Sequence, residues 1–273
     1  MWTVDTPNGA VLLVGEIREV PETTRWRPDR LEAAARGADR ILLGTRAKIS
    51  PGDIFRLIFN GGKLVRLPEK RVAADYLAPA QLQRLTMLEK RYDQDYSRRN
   101  FLMTAFDLLS KRLDFDDDSG PDAREIVEDA ADDADIPAEP IGTLRGEDML
   151  DNLFAAPPET HLACLDAAMA AAEEGPAVIE RRAADWVESN VPAVMRNPLE
   201  QALGRCWPWA DNALGPELRG QWVAALEAAI RSDGVTLAVV PLRVLAEEDG
   251  VLDRLKRKGF EIAGPVWRSE PRG

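Results

Sequence analysis

The chain has 273 residues, of which 45% are hydrophobic and 30% charged, a composition typical of a soluble globular protein and not of a disordered or fibrous one. A formal net charge of −12 argues against nonspecific binding to nucleic acid or anionic membranes. No apolar run reaches the roughly 18 residues of a transmembrane helix, and the N-terminus lacks the basic and apolar regions of a secretory signal. We therefore expect a cytoplasmic protein, with a trimmed exported protein as the alternative.

Few residues are available for metal or nucleophilic chemistry. The cysteines, Cys164 and Cys206, lack CxxC spacing, which predicts buried free thiols rather than a disulfide framework or a zinc site. The single histidine, His161, excludes any mechanism that needs two histidines, and its place after Pro157-Pro158 predicts an ordinary surface or capping role. No serine lies in a GxSxG motif, and Gly61-Gly62 predicts a turn rather than a phosphate loop.

The start of the chain alternates between apolar runs and a helical pattern. Val11–Val14 follows a turn signal and predicts a buried strand. A helical pattern begins after Pro28, and Ile41–Leu43 predicts a second strand. Strand, helix and strand in this order predict a parallel sheet with helices packed on its faces.

The middle of the chain is predicted to be helical. Apolar spacing predicts two helices from Ala78 to Leu113, and alanine-rich helices from Gly146 to Val194. Between Asp114 and Asp135 the chain has eleven acidic residues and one base, Arg124. We interpret this stretch as the solvated face of an amphipathic helix rather than a calcium site, because it lacks EF-hand spacing.

The end of the chain returns to alternating elements. The pattern predicts, in order, a helix over Glu217–Arg231, a strand over Val235–Val240, a helix over Asp249–Lys258 and a strand over Phe260–Val266. We therefore predict a single α/β domain over residues 1–273. Its mixed, largely parallel sheet is built from both chain ends, 1–70 and 215–273, and a large helical insertion, 71–214, lies between them.

Several motifs occur in the order of a known family. The opening has Trp2-Thr3-Val4, a strand that reaches Gly15 and a helix that leads to Ala38-Asp39, and the closing has Trp222 in a helix before Asp249-Gly250-Val251-Leu252. The sequence resembles the TraB/GumN family, whose members run W-x-V, G-T-x-H and A-D-x-L-V-L-E, with a second GxxH before D-G-V-L. The resemblance covers nearly the whole chain.

The resemblance implies a chemistry that this chain has lost. Enzymatic members are regarded as metal-dependent peptidases, whose GxxH histidines and glutamate hold a divalent cation at the carboxyl ends of strands. This chain has Arg18 for the first histidine, Gly44 for the glutamate, and Pro241 and Val244 for the glycine and histidine of the second motif. Arginine cannot be a ligand, because its guanidinium stays protonated. We therefore expect a pseudoenzyme with no metal, no cofactor and no catalytic residue.

A degenerate cleft is expected where the family motifs meet. Its positions are Gly15, Glu16, Arg18, Gly44, Arg46, Arg219, Pro241, Arg243, Val244 and Asp249. Arg18 and Arg243 are expected to fill the space of the metal and pair with nearby carboxylates, those of Glu16 and Asp249. The alternative is an anion pocket, or a pocket for a peptide carboxylate, made by Arg18, Arg46, Arg219 and Arg243.

Three functions stay open. The first is a noncatalytic protein that binds a protein, a peptide or a small anionic ligand, or acts as a scaffold. The second is a hydrolase or peptidase with a carboxylate-only metal site. Its ligands would come from Glu16, Glu247, Glu248 and Asp249. The third is a structural subunit with an exposed apolar patch, although Trp207 and Trp209 are interpreted as core or loop anchors rather than such a patch.

Overall fold

A five-stranded sheet forms the centre of the fold. The computed structural model of the chain describes residues 1–113 and 119–269. The strands, in chain order, are β1 (Trp2–Thr6), β2 (Gly9–Glu16), β3 (Val20–Pro21), β4 (Arg40–Leu43), β5 (Arg46–Lys48), β6 (Ser119–Gly120), β7 (Ala138–Pro140), β8 (Thr143–Arg145) and β9 (Gly234–Pro241). The central sheet has the order β1-β2-β9-β4-β7, and only β1 runs antiparallel to its neighbour. The predicted α/β class and largely parallel sheet are confirmed.

Helices cover both faces of this sheet. They are, in chain order, α1 (Pro28–Arg36), α2 (Pro51–Val65), α3 (Pro79–Tyr92), α4 (Phe101–Phe106), α5 (Ala123–Asp133), α6 (Gly146–Ala155), α7 (Leu162–Glu174), α8 (Ala177–Val187), α9 (Val191–Arg196), α10 (Pro198–Arg205), α11 (Leu214–Ile230), α12 (Leu242–Ala246) and α13 (Val251–Arg257). Successive β9 residues alternate between two cores, because side chains along a strand point to opposite faces. Leu237 packs with α1 and α5, whereas Ala238 packs with α11, α12 and α13.

A separate helical core lies beside the sheet. Leu85 of α3, Phe101 of α4, Leu165 of α7 and Leu199 of α10 are all buried in it. The two helices predicted between Ala78 and Leu113 are present, and α4 continues as a π-helical turn over Asp107–Lys111. Among the described residues, no helix combines the length and the apolar character needed to cross a lipid bilayer.

The acidic stretch contributes to the sheet as well as to the surface. Its residues 114–118 lie outside the described part of the chain. The rest forms α5, in which Ala123, Val127 and Ala130 are buried and the acidic face is turned outward, as predicted. The chain then forms β7, which pairs in parallel with β4. The segment predicted as a helical insertion therefore also supplies a strand, which prolines at 137 and 140 obscured in the sequence.

Two local predictions are wrong. Gly61-Gly62 lies inside α2 and not in a turn, because a capping box between Ser50 and Asp53 starts a helix that continues through the glycines. Phe260–Val266 forms no strand and makes only an isolated bridge between Ala263 and Thr3.

Cys164 and Cys206 form a disulfide between α7 and the end of α10, so the prediction of free thiols is wrong. The packing of α10 on α7 brings the two Cα atoms, 42 positions apart in sequence, to 4.6 Å. Sequence spacing alone does not show such a pairing. His161 is also buried, at 6% exposed, and makes no capping hydrogen bond, which contradicts its predicted surface or capping role. Burial lowers the pKa of this imidazole.

Candidate functional site

A cleft of about 940 Å³ opens at the carboxyl ends of three parallel strands. Glu16 ends β2, Pro241 ends β9 and Gly44 follows β4, and all three line the cleft. The opposite wall is apolar and comes from the helical core, with Phe106 and Leu203 among its residues. The carboxyl-end crevice of an open α/β sheet is the usual place for a ligand.

Glu16 is a buried carboxyl group without a partner. The residue is 7% exposed, and its Oε2 has no hydrogen-bond partner among the described residues. Burial raises the pKa of Glu16 to about 7, and the negative charge of Asp122 adds to this effect, while Arg124 and Arg18 oppose it. The group therefore exchanges its proton near neutral pH.

Arg124 occupies the space beside Gly44. A Cβ atom on Gly44 would lie 3.2 Å from Nη1 of Arg124. Asp122 caps α5 by accepting hydrogen bonds from the backbone N–H groups of Arg124 and Glu125. The cap holds in place the first helical turn, which carries Arg124. The Nε of Arg124 donates to Glu128 at 3.1 Å. A guanidinium thus stands where a side chain at position 44 would point.

Arg182, Glu200 and Arg243 form a buried ionic cluster on the other side of the cleft. They are 3%, 4% and 7% exposed. Nε of Arg182 donates to Oε2 of Glu200 at 2.8 Å, and Nη2 of Arg243 donates to Oε1 of the same carboxylate. Nη2 of Arg243 also donates to the Glu200 carbonyl at 2.9 Å, and Nη1 of Arg182 to the Arg18 carbonyl at 2.9 Å. Two guanidinium groups therefore share one carboxylate.

A sequence model of the TraB/PrgY/gumN family matches residues 1–263. The chain belongs to this family. No curated protein and no solved structure gives a significant match.

The TraB/PrgY/gumN motif positions do not all meet in one place. Glu16, Arg18, Gly44, Pro241 and Arg243 line the cleft. Gly15 lies behind it, against Trp2 and Leu242, and Arg46 is exposed on β5. Arg219, Val244 and Asp249 border a second, much smaller hollow. The predicted pocket of four arginines is therefore not assembled.

The ion pairs of this TraB/PrgY/gumN protein also differ from those predicted. The Arg18 side chain is 76% exposed and lies 3.8 Å from Glu19 rather than beside Glu16. Arg243 pairs with Glu200. Asp249 pairs with Arg254 at 3.4 Å and with Arg257. The partner of Arg243 was missed because it is distant in sequence, on α10.

The ligands predicted for a carboxylate-only metal site are separated. Glu16 lies in the large cleft, whereas Glu247 and Asp249 border the small hollow. Glu247 accepts hydrogen bonds from Nε and Nη2 of Arg219, at 2.5 and 3.1 Å. Within residues 1–113 and 119–269, no group of three or more histidine, cysteine, aspartate or glutamate side chains is placed to hold a metal ion. The residues present do not fit the metal that the resemblance implies.

Trp207 and Trp209 contribute to the cleft wall. Both are half-buried and pack against the apolar clusters beneath them, which confirms that they are anchors and not an exposed patch. Nε1 of Trp207 is buried and has no partner among the described residues. Among the described residues, Glu16 and Trp207 thus line the cleft and each carries a buried polar atom without a hydrogen-bond partner.

Proposed function

We propose that this TraB/PrgY/gumN protein is a noncatalytic binding protein, whose cleft takes up a ligand where the resemblance implies a metal site in enzymatic members. The observation that carries the proposal is the guanidinium of Arg124 beside Gly44. It brings a permanent positive charge to the position that matches the glutamate of the family motif. A guanidinium offers only hydrogen-bond donors, so this position supplies no ligand to a divalent cation.

The other motif positions support the same proposal. Val244, which matches the second histidine, is 1% exposed and packs in the core with Leu245 and Leu252. Arg18, which matches the first histidine, turns its side chain to the exterior. Each of the three replacements thus removes a ligand in its own way. Arg18 puts a cation in place of a histidine, Gly44 has no side chain, and Val244 is an apolar side chain buried in the core.

The cleft has the size and lining of a binding site. Its volume of about 940 Å³ falls within the usual range for small-molecule pockets, roughly 300 to 1,000 Å³. Its walls combine aromatic faces with a few polar groups that have no partner, as binding sites generally do. This favours a ligand that enters the cleft over a purely structural role.

A second candidate is an anionic ligand, including a peptide carboxylate. It is favoured by the cluster of Arg182, Glu200 and Arg243, in which two positive charges face one negative charge. Both arginines line the cleft, where their guanidinium groups already donate to Glu200.

The disulfide bears on the compartment in which the protein works. Disulfides persist in oxidising compartments and are rare in the cytosol. The bond between Cys164 and Cys206 therefore favours an oxidising compartment over the cytoplasm expected from the N-terminal sequence.

Peptide cleavage tests the proposal. The purified chain is incubated with a fluorogenic peptide library in the presence of Zn²⁺, Mn²⁺ or Co²⁺, beside a TraB/GumN protein that has both GxxH histidines. We expect cleavage by the second protein alone. Cleavage by this chain that stops when a chelator is added, and that Glu16→Gln abolishes, would contradict a noncatalytic function.

A further inference from the structure

We propose that the cleft binds an organic amine, with the ammonium group against the carboxylate of Glu16 and an apolar body along the tryptophan wall. This inference rests on the proposed function, because it names the chemistry of the ligand for the same cleft. It differs from the anionic candidate in the sign of the ligand charge.

The first observation is the missing partner of Glu16. The residue is more than nine-tenths buried and lines the cleft, and its side-chain Oε2 has no hydrogen-bond partner among the described residues. A buried carboxylate without a partner is costly, so a group that donates a hydrogen bond and carries a positive charge would be strongly favoured there. An ammonium group supplies both.

The second observation is the charge around Glu16. Asp122, Glu125 and Glu128 line the cleft together with Arg124, and all four lie at the N-cap or on the first turns of α5. Arg124 already donates to Glu128. Arg18 lies nearby on the chain but is largely exposed. Carboxylates therefore outnumber cations at this end, which disfavours an anion and favours a cation.

The third observation is the aromatic wall. Trp207, Trp209 and Trp222 all line the cleft. Indole faces bury hydrocarbon and attract cations through the negative charge of the ring face. The lining thus fits an amine with an apolar, preferably aromatic, body.

The arginine wall does not compete for this role. Arg182 and Arg243 are buried and bonded to Glu200 and to main-chain carbonyls. Their charge is therefore largely compensated inside the protein. An anion would have to displace these contacts, whereas Oε2 of Glu16 has no hydrogen bond to lose among the described residues.

Amine binding is expected to strengthen as the pH rises from 6 to 8. Glu16 must be ionised to pair with an ammonium, and burial raises its pKa to about 7. The charged groups that act on it are Arg124 and Glu128 of α5, Asp122 at the N-cap of that helix, and Arg18 two residues along the chain. Arg182, Glu200 and Arg243 also line the cleft.

Three probes of the same shape test the proposal by calorimetry or ligand-observed NMR: 2-phenylethylamine, 2-phenylethanol and 3-phenylpropanoate. We expect the amine to bind at least about tenfold more tightly than the alcohol, the worth of one charge-assisted hydrogen bond. Glu16→Gln should remove this preference. Glu261→Gln, the matched control, makes the same charge change at an exposed residue outside the cleft and should leave binding intact.

Equal binding of amine and alcohol would overturn the proposal, as would tighter binding of the carboxylate or no binding of the amine. Retention of amine binding by a Glu16→Gln protein that melts normally would overturn it too. These failures differ from failure of the proposed function: tighter carboxylate binding would support the anionic candidate, whereas metal-dependent peptide cleavage would refute a noncatalytic role.

Discussion

Gly204 leaves the space in which the guanidinium of Arg243 lies. A Cβ atom on this glycine of α10 would overlap Nη1 of Arg243, whose Nη2 donates to Glu200 one turn earlier on the same helix. The glycine and the arginine therefore depend on each other. The contact joins α10 of the helical core to Arg243, which follows β9 at the position of the family's second GxxH motif.

Gly204→Ala should destabilise the protein by about 1 to 3 kcal/mol, because the new methyl group overlaps the buried guanidinium of Arg243. Gly220→Ala is the matched control, since a Cβ atom there meets nothing within 4 Å and the residue lies in the middle of α11. The control should gain up to about 1 kcal/mol from helix propensity. Urea unfolding of both variants measures the difference, and equal effects would show that Arg243 does not need this space.

Glu200→Gln should be among the most damaging single substitutions, at about 3 to 5 kcal/mol, because it removes the charge of the carboxylate that both buried guanidinium groups bond. Burial disfavours the charge of Glu200, yet Arg243 and Arg182 together hold the pKa of this carboxyl below its ordinary value. Glu32→Gln breaks an ion pair of α1 at the surface and should change stability by less than about 0.5 kcal/mol. If Glu200→Gln lowered the free energy of unfolding as little as the control does, Glu200 would not be the ionised partner of Arg182 and Arg243.

Reduction of the disulfide should lower stability by ~4 kcal/mol, the chain-entropy estimate for a closed loop of 42 residues. Urea unfolding with and without reductant measures this loss. The Cys164→Ser/Cys206→Ser double variant should show a similar loss and no response to reductant. If reductant left the unfolding midpoint of the unmodified chain unchanged and free thiols were found by titration, the bond would be absent.

Glu16 should make the protein less stable as the pH rises through neutrality. Its pKa is about 7 in the folded chain against an ordinary value of 4.5, so its stabilising contribution is present below pH 4.5 and lost above pH 7. Between pH 5 and pH 8 the free energy of unfolding should fall by about 2 to 3 kcal/mol more in the unmodified chain than in Glu16→Gln. Glu261→Gln should follow the unmodified chain, and parallel profiles for all three proteins would contradict a raised pKa.

The fold was largely predictable because hydrophobic periodicity reports burial directly. Val11–Val14, Ile41–Leu43 and Val235–Val240 are apolar on both faces, which is the pattern of parallel strands covered by helices. β7 was missed because its three residues, which follow Pro137 and end in Pro140, are too few to show a periodicity. The predicted strand at Phe260–Val266 pairs only at Ala263, so its apolar side chains pack without a ladder.

The cleft was only partly predictable, because its decisive contacts join distant segments. Matching of the motifs located Glu16, Gly44 and Arg243 at the cleft. It could not show that Arg124 fills the space at Gly44, since that depends on how α5 packs over the sheet. Nor could it find Arg182 and Glu200, whose helices have no motif, or the disulfide, which depends on the packing of α10 on α7.

Metal affinity tests the central claim most directly. The purified, metal-free chain is titrated with Zn²⁺ and Mn²⁺ by calorimetry, and Glu16→Gln is titrated in parallel. A noncatalytic cleft predicts no stoichiometric binding by the unmodified chain, because Arg124 stands beside Gly44 and Val244 lies in the core. Binding of one ion per chain with micromolar or tighter affinity, lost in Glu16→Gln, would contradict the account.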